Sequence, residues 1–344
     1  MKIGIVTWDY HKPKGGLGRA MRILESSLRR LEHEVSVLAP HSTRGGSFFF
    51  SFLLLWKLKP WVRRNALNAL ILPVGPGGLF LFRKPPVRSI AVCYHTYTQQ
   101  SNLVPGQRWK KIFIPFERRT LGISDGIICY AKDTLEALKR LYPSRRIRLC
   151  TQYVPFEPVK AAGKENFCIC IARLEKRKGV AVLLRAWEVV SKRHPGTELL
   201  IVGDGILSPG IDRMIASLQH VRRIPSVSES ELQSLLAYAR IAVCPSYLEG
   251  FGLAAVEAGL SGCVVVASDT DGLRNLFEHR KTAILVPSGD SVALSSALSA
   301  VLENREFASV LANNARDTLD KHTNRLATDR ELHEALLGLC SIPE

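Results

Sequence analysis

Short apolar runs alternate with longer stretches whose apolar positions recur every three to four residues along most of the chain. The first run, "KIGIVTW", reads as a buried strand. The loop "KPKGGLGR" follows it, then the amphipathic helix "AMRILESSLRRL". "EVSVLAP", "ALILPV", "SIAVCYH" and "GIICYA" read as further strands, and "KDTLEALKRLY" as a helix. The stretch "TQYVPFEPVKAAGKEN" has prolines, small residues and no period, so it reads as a linker. A second alternating set begins after it, with "FCICIARL", "ELLIVGDG", "IAVCPS" and "VVVAS" as strands. "GVAVLLRAWEVVSKRH", "SESELQSLLAYA" and "FGLAAVEAGLSG" are its helices, and "RLATDRELHEALLGL" closes the chain. Alternation of this kind predicts parallel sheets wound with helices. The expected architecture is α/β, with two Rossmann-like doubly wound domains facing each other across a cleft. The first domain is expected over 1–158 and the second over 159–325, with 326–344 a helix that packs back on the first.

Composition agrees with two packed domains: 344 residues, 46% of them hydrophobic. The eight cysteines contain no C-x-x-C pair, and Cys168 and Cys170 fall on one face of a strand, which suits core packing and a reduced cytoplasm. The N-terminus lacks the long apolar region of a secretory signal. The greasiest run, "FFFSFLLLW", is about half the length a membrane-crossing helix needs. Charge changes the picture more. Residues 1–160 hold 27 Lys and Arg against 9 Asp and Glu, while the remainder holds 20 against 22. The first half is therefore expected to meet something anionic, or else to present a solvated basic surface. Residues 48–64, aromatic and leucine-rich and ending in Lys57, Lys59, Arg63 and Arg64, read either as a membrane-interface segment or as a core helix with a basic end.

The candidate chemistry sits in loops that come after strands, where open α/β sheets bind ligands. In "PSYLEGFGLAAVEAG", Glu249 lies on the loop and Glu257 about a turn and a half into the next helix. Between them Gly250, Phe251, Gly252 and Leu253 bring close backbone and unpaired N–H groups to a helix start, a combination that binds phosphate. A carboxylate at Glu257 is placed for a ribose diol, and one at Glu249 for a second polyhydroxylated group. Diphosphate between ribose and sugar describes a nucleotide-sugar. "ARLEKRKG" supplies the counter-charge through Arg173 and Lys178.

"YHTYTQQ", "ARLEKRKG", "IVGDG" and "CPSYLEGFGLAAVEAGLSGCVVVAS", in their order and spacing, resemble the GT-B glycosyltransferases of family GT4, most closely the branch with phosphatidylinositol mannosyltransferases. The resemblance covers nearly the whole chain and is strongest over 167–290. It implies that Glu257 holds the donor ribose, Glu249 the donor sugar, and Arg173 and Lys178 the diphosphate. It also implies that His95 lines the donor-sugar site, that Gly16 and Gly18 belong to a glycine loop near the phosphates and acceptor, and that Gly203 belongs to the donor-binding set. The linker entry "TQYVPF" and the segment "RRIPSVSESEL" depart from the family pattern.

The activity so implied is that of a retaining hexosyltransferase using a UDP- or GDP-sugar as co-substrate, with no cofactor and no metal. Its acceptor is a glycan, lipid-linked or small-molecule hydroxyl, and the expected location is the cytoplasm, at the periphery of the membrane. A glycosidase reading of the two glutamates fails because Glu257 lies behind the helix start and addresses the nucleotide. "SDTDG" contains a D-x-D, but three letters recur by chance. The alternatives are a nucleotide-sugar 2-epimerase of the same fold, a basic nucleic-acid-binding protein, for which no reader motif is present, and a silent scaffold.

Overall fold

The computed structural model describes residues 1–11, 16–41, 46–159 and 163–340. The chain separates into two compact units, Met1–Tyr153 with Thr323–Glu344, and Val154–His322.

In the first unit the elements run β1 (Lys2–Val6), α1 (Gly16–Arg30), β2 (Glu34–Leu38), α2 (Gly46–Arg64), β3 (Ala69–Val74), β4 (Arg88–Cys93) and α3 (Tyr97–Leu103). Then come a 3-10 turn (Arg108–Phe113), α4 (Ile114–Ile123), β5 (Gly126–Cys129), α5 (Lys132–Leu141) and β6 (Ile147–Leu149). The six strands pair in parallel in the order β2-β1-β3-β4-β5-β6. β3 and β4 are apolar and buried along nearly their whole length because helices cover both faces of a parallel sheet. The strand order reverses between β1 and β3, so the ends of those strands form this sheet's switch point.

Residues 48–64 fall in α2, which has a core side and an exposed aromatic side. Phe50, Leu54, Leu58 and Val62, four apart, enter the core. The opposite side leaves Phe48, Phe49, Phe52 and Trp56 exposed, the last at 61%. Phe48 and Phe52 continue into an aromatic cluster with Phe80, Phe82, Phe113 and Phe116. No helix among the described residues is long and apolar enough to cross a membrane.

The second unit holds β7 (Glu165–Ile171), a 3-10 turn (Lys176–Lys178), α6 (Val180–Arg193), β8 (Glu198–Val202), α7 (Ser208–Ile215), β9 (Val221–Ile224), α8 (Glu229–Tyr238) and β10 (Ala239–Cys244). After these come α9 (Leu253–Leu260), β11 (Val264–Ser268), α10 (Asp271–Arg274), β12 (Ile284–Val286), α11 (Ser291–Glu303) and α12 (Arg305–His322). Its parallel order is β12-β11-β10-β7-β8-β9, reversing between β7 and β10. Cys168 and Cys170 lie in its core with Trp187 and Leu183, and all eight cysteines are free thiols. β9, "VRRI", is not predicted from the sequence, because two arginines interrupt its apolar pattern.

The last helix, α13 (Arg325–Cys340), belongs to the first unit. Arg30 donates to both Asp329 oxygens at 2.8 and 3.0 Å, Thr151 N donates to Glu331 at 2.8 Å, and Leu339 packs on Gly126.

Candidate active site

The switch point of the second sheet gathers the segments that come after β7 and β10. Gly179 makes this possible. A Cβ there would lie 1.9 Å from the Pro245 carbonyl oxygen, and its φ of +64° is a left-handed value that glycine adopts freely. The 3-10 turn Lys176–Lys178 therefore rests directly on the loop 245–249. Tyr247 N donates to the Arg177 carbonyl at 2.8 Å and fixes the register of the two loops.

The contact carries charge to one place. Lys178 Nζ lies 2.5 Å from Glu249 Oε1, and Ser246 Oγ donates to the same oxygen at 2.7 Å. Arg177 Nη1 stands 3.6 Å from the other carboxylate oxygen and donates to the Leu248 carbonyl at 3.0 Å. Its Nη2 reaches Glu175 at 2.9 Å. Burial alone would raise the Glu249 carboxyl. The charges of Lys178 and Arg177, with the hydrogen bonds from Lys178 and Ser246, overrule it and hold the group at about 2. Glu249 is therefore a buried, fixed anion at neutral pH. Arg173, just past β7, makes no ion pair within 4 Å among the described residues, and its charge, with that of Arg177, helps hold the shielded Glu175 carboxyl below the usual carboxylate range.

Gly250 and Phe251 are buried, and Gly252 caps α9 in the left-handed region at φ +97°. Leu253 opens the helix, and Glu257, its fifth residue, is 1% exposed. From Leu253 to Glu257 the rise is about 6 Å. A buried carboxylate thus stands one short step behind a helix start that carries unpaired N–H groups. Gly203 comes directly after β8 and donates from its N–H to the Ile224 carbonyl at 2.9 Å. Of the D-x-D segment, Asp269 is paired with Arg274 at 2.7 Å, and Asp271 begins α10, whose Gly272 N–H donates to the Glu249 carbonyl at 3.1 Å.

Sequence reasoning missed Ser246, whose hydroxyl sits three residues before Glu249 and fastens it, and Arg177, whose charge helps hold that carboxylate ionised. Only the i, i+3 spacing of Ser246 and Glu249 hinted at the first, and nothing local could show the second.

His95, Gly16 and Gly18 lie in the first unit. Gly16 and Gly18 stand in the first turn of α1, and residues 12–15 of the expected glycine-rich loop lie outside the described residues. His95 is buried just past β4. The turn 75–78 after β3 approaches both segments. A Cβ on Gly75 would meet the His95 carbonyl oxygen at 2.3 Å, and one on Gly77 would meet Leu17 at 3.9 Å. All of these sit at the carboxyl end of the first sheet.

Residues 155–318 match the family model described as glycosyl transferases group 1. The matched residues lie within the second compact unit, Val154–His322. The chain is 26% identical over 336 residues to phosphatidyl-myo-inositol mannosyltransferase of Mycolicibacterium smegmatis, covering 89% of this chain and 86% of the relative. The Mycobacterium leprae counterpart is 36% identical over 131 residues, 38% of this chain. That match spans only about a third, 35%, of the relative's own length.

Solved structures share the fold of the chain. Sucrose-phosphate synthase from Thermosynechococcus elongatus superposes with a TM-score of 0.83 at 19% identity, covering 98% of this chain and 99% of the other. Anabaena HepE, solved in complex with UDP and glucose, gives a TM-score of 0.71 at 16% identity and covers 98% and 100%. The fold is GT-B, α/β with two six-stranded parallel sheets.

Proposed function

We propose that the chain moves a sugar, with retention at the anomeric carbon, from a nucleoside-diphosphate sugar to an acceptor hydroxyl. The observation that carries this reading is the Lys178–Glu249 pair at the switch point, with Arg173 just past β7 and the start of α9 just past β10. Cations and helix-start N–H groups are suited to a leaving diphosphate, and two buried acids to hydroxyls on either side of it. Glu257 takes the ribose and Glu249 the sugar. Arg173 and Lys178 take the diphosphate, with backbone approach from Gly203, Gly250, Phe251, Gly252 and Leu253. His95 in the first unit contacts the donor sugar, and Gly16 and Gly18 approach phosphate or acceptor.

The chemistry needs no protein nucleophile. As the anomeric C–O bond breaks, positive charge builds on the sugar and negative charge on the diphosphate oxygen. The acceptor oxygen attacks from the same face, its proton passes to that phosphate oxygen, and nucleoside diphosphate leaves. Each well-placed cation or N–H lowers the barrier by about 2–4 kcal/mol in a dry site. The HepE complex with UDP supports a uridine nucleotide as donor, and the mannosyltransferase relatives support a lipid-linked acceptor. The exposed aromatic side of α2 with Lys57, Lys59 and Arg63 supports work at the cytoplasmic periphery of a membrane.

A thermal-shift series with UDP-glucose, GDP-mannose and ADP-glucose tests the donor class. Stabilisation by one of them that vanishes in Glu257→Ala is expected. Equal indifference to all three would end the reading. Incubating the stabilising donor without acceptor separates a 2-epimerase, which would isomerise the sugar.

A further inference from the structure

Glu117 is a carboxylic acid 2% exposed, in the first turn of α4, and no step above uses it. Its Oε1 accepts the backbone N–H of Tyr97 at 2.9 Å, two residues past His95. The same oxygen would stand 3.5 Å from a Cβ on Gly75, the residue whose backbone presses on the His95 carbonyl. Tyr97 is tied in turn: its hydroxyl hydrogen-bonds the Gly77 backbone, and the Gly77 carbonyl accepts from Trp8 Nε1. The ends of β1, β3 and β4 are thus stitched together around one carboxyl from α4.

We propose that Glu117 is a positioning residue that sets the His95–Tyr97 turn, and does so as the neutral acid. This rests on the donor-sugar role of His95 proposed above. The groups facing Glu117 explain why the neutral form is the one that fits. Tyr97 on α3, Cys93 on β4 and Tyr142 beyond α5 are uncharged near neutral pH, and burial pushes each of them up. Among the described residues Arg118, its neighbour on α4, is the one positive charge acting on it. Burial raises Glu117 to about 8, against the weaker pull of the Tyr97 N–H and Arg118. Once ionised, the carboxylate has to draw water into a packed junction, which parts the turn 75–78 from the His95–Tyr97 turn.

Hydrogen–deuterium exchange of the 94–101 segment, corrected for intrinsic rates, tests this in the full chain between pH 6.5 and 9.5. UDP-glucose turnover with water as acceptor is measured alongside. In the parent, protection and turnover should fall together above pH 8, by about tenfold per pH unit. Glu117→Gln keeps an acceptor for the Tyr97 N–H without titrating, so both alkaline declines should disappear. Glu117→Leu, which keeps volume but no acceptor, should lose protection at every pH. Parent protection that is flat with pH, or a Glu117→Gln profile that still declines, overturns the proposal. A parent that neither binds nor turns over UDP-glucose counts against the donor reading alone, because exchange still decides the positioning role.

Discussion

Lys178 Nζ and Glu249 Oε1 stand 2.5 Å apart although 71 positions separate them in the chain. Both side chains are mostly shielded, at 19% and 11% exposure. Removing only Lys178 leaves Glu249 to Arg177 and Ser246, so Lys178→Met should cost about 3 kcal/mol of stability. Removing both charges as Lys178→Met with Glu249→Gln should recover most of that loss without recovering turnover. Chemical denaturation and donor consumption measured on the same samples check this. A double variant that regains activity would show the pair to be a brace and nothing more.

Acid stability depends on the same carboxylate. Glu249 is held at about 2 against an unfolded value near 4.5, so it binds fewer protons folded than unfolded in that window. Its contribution is present above pH 4.5 and is lost as pH falls towards 2, amounting to roughly 3 kcal/mol. Urea midpoints of the parent should therefore drop over that window more steeply than those of Glu249→Gln. Parallel curves would contradict the assignment.

Glu117 titrates in the opposite sense. Its folded value of about 8 lies above the unfolded one, so the folded chain holds a proton that the unfolded chain releases. Stability falls as pH rises from 4.5 to 8 and levels off beyond. The melting temperature of Glu117→Gln should overtake that of the parent across this window, with the gap widest near pH 8.

Gly179 carries a steric prediction. Gly179→Ala places a methyl group 1.9 Å from the Pro245 carbonyl in a left-handed backbone. A loss of at least about 2 kcal/mol is expected, with donor binding weakened because the turn that carries Lys178 must shift. Calorimetric unfolding and donor titration measure the two effects.

Sedimentation with anionic vesicles tests the exposed side of α2. Phe52→Ser with Trp56→Ser removes aromatic surface that is 49% and 61% exposed and should reduce co-sedimentation at low salt without lowering the melting temperature. Unchanged sedimentation would assign that face to something other than lipid.

The fold was legible because parallel strands buried on both faces print apolar runs such as "ALILPV" and "VVVAS" directly in the sequence. β9 escaped because Arg222 and Arg223 break its apolar pattern at the sheet's edge, where Arg222 is exposed and Arg223 is tied to Asp212. The candidate site was half legible. The spacing from Glu249 to Glu257 and the cations of "ARLEKRKG" are local patterns, whereas the grip of Lys178 on Glu249 exists only once β7 and β10 lie side by side. Glu117 left no local trace: in "PFERRT" an acid beside two arginines reads as solvated, and only the packing of α4 shows it buried.

A crystal structure with the nucleoside diphosphate that stabilises the chain most would test the proposed donor site at the level of atoms. The paired phosphates should lie against Arg173, Lys178 and the first N–H groups of α9, with the ribose hydroxyls on Glu257. A nucleotide bound elsewhere, with the Lys178–Glu249 contact and the start of α9 untouched, would contradict that assignment.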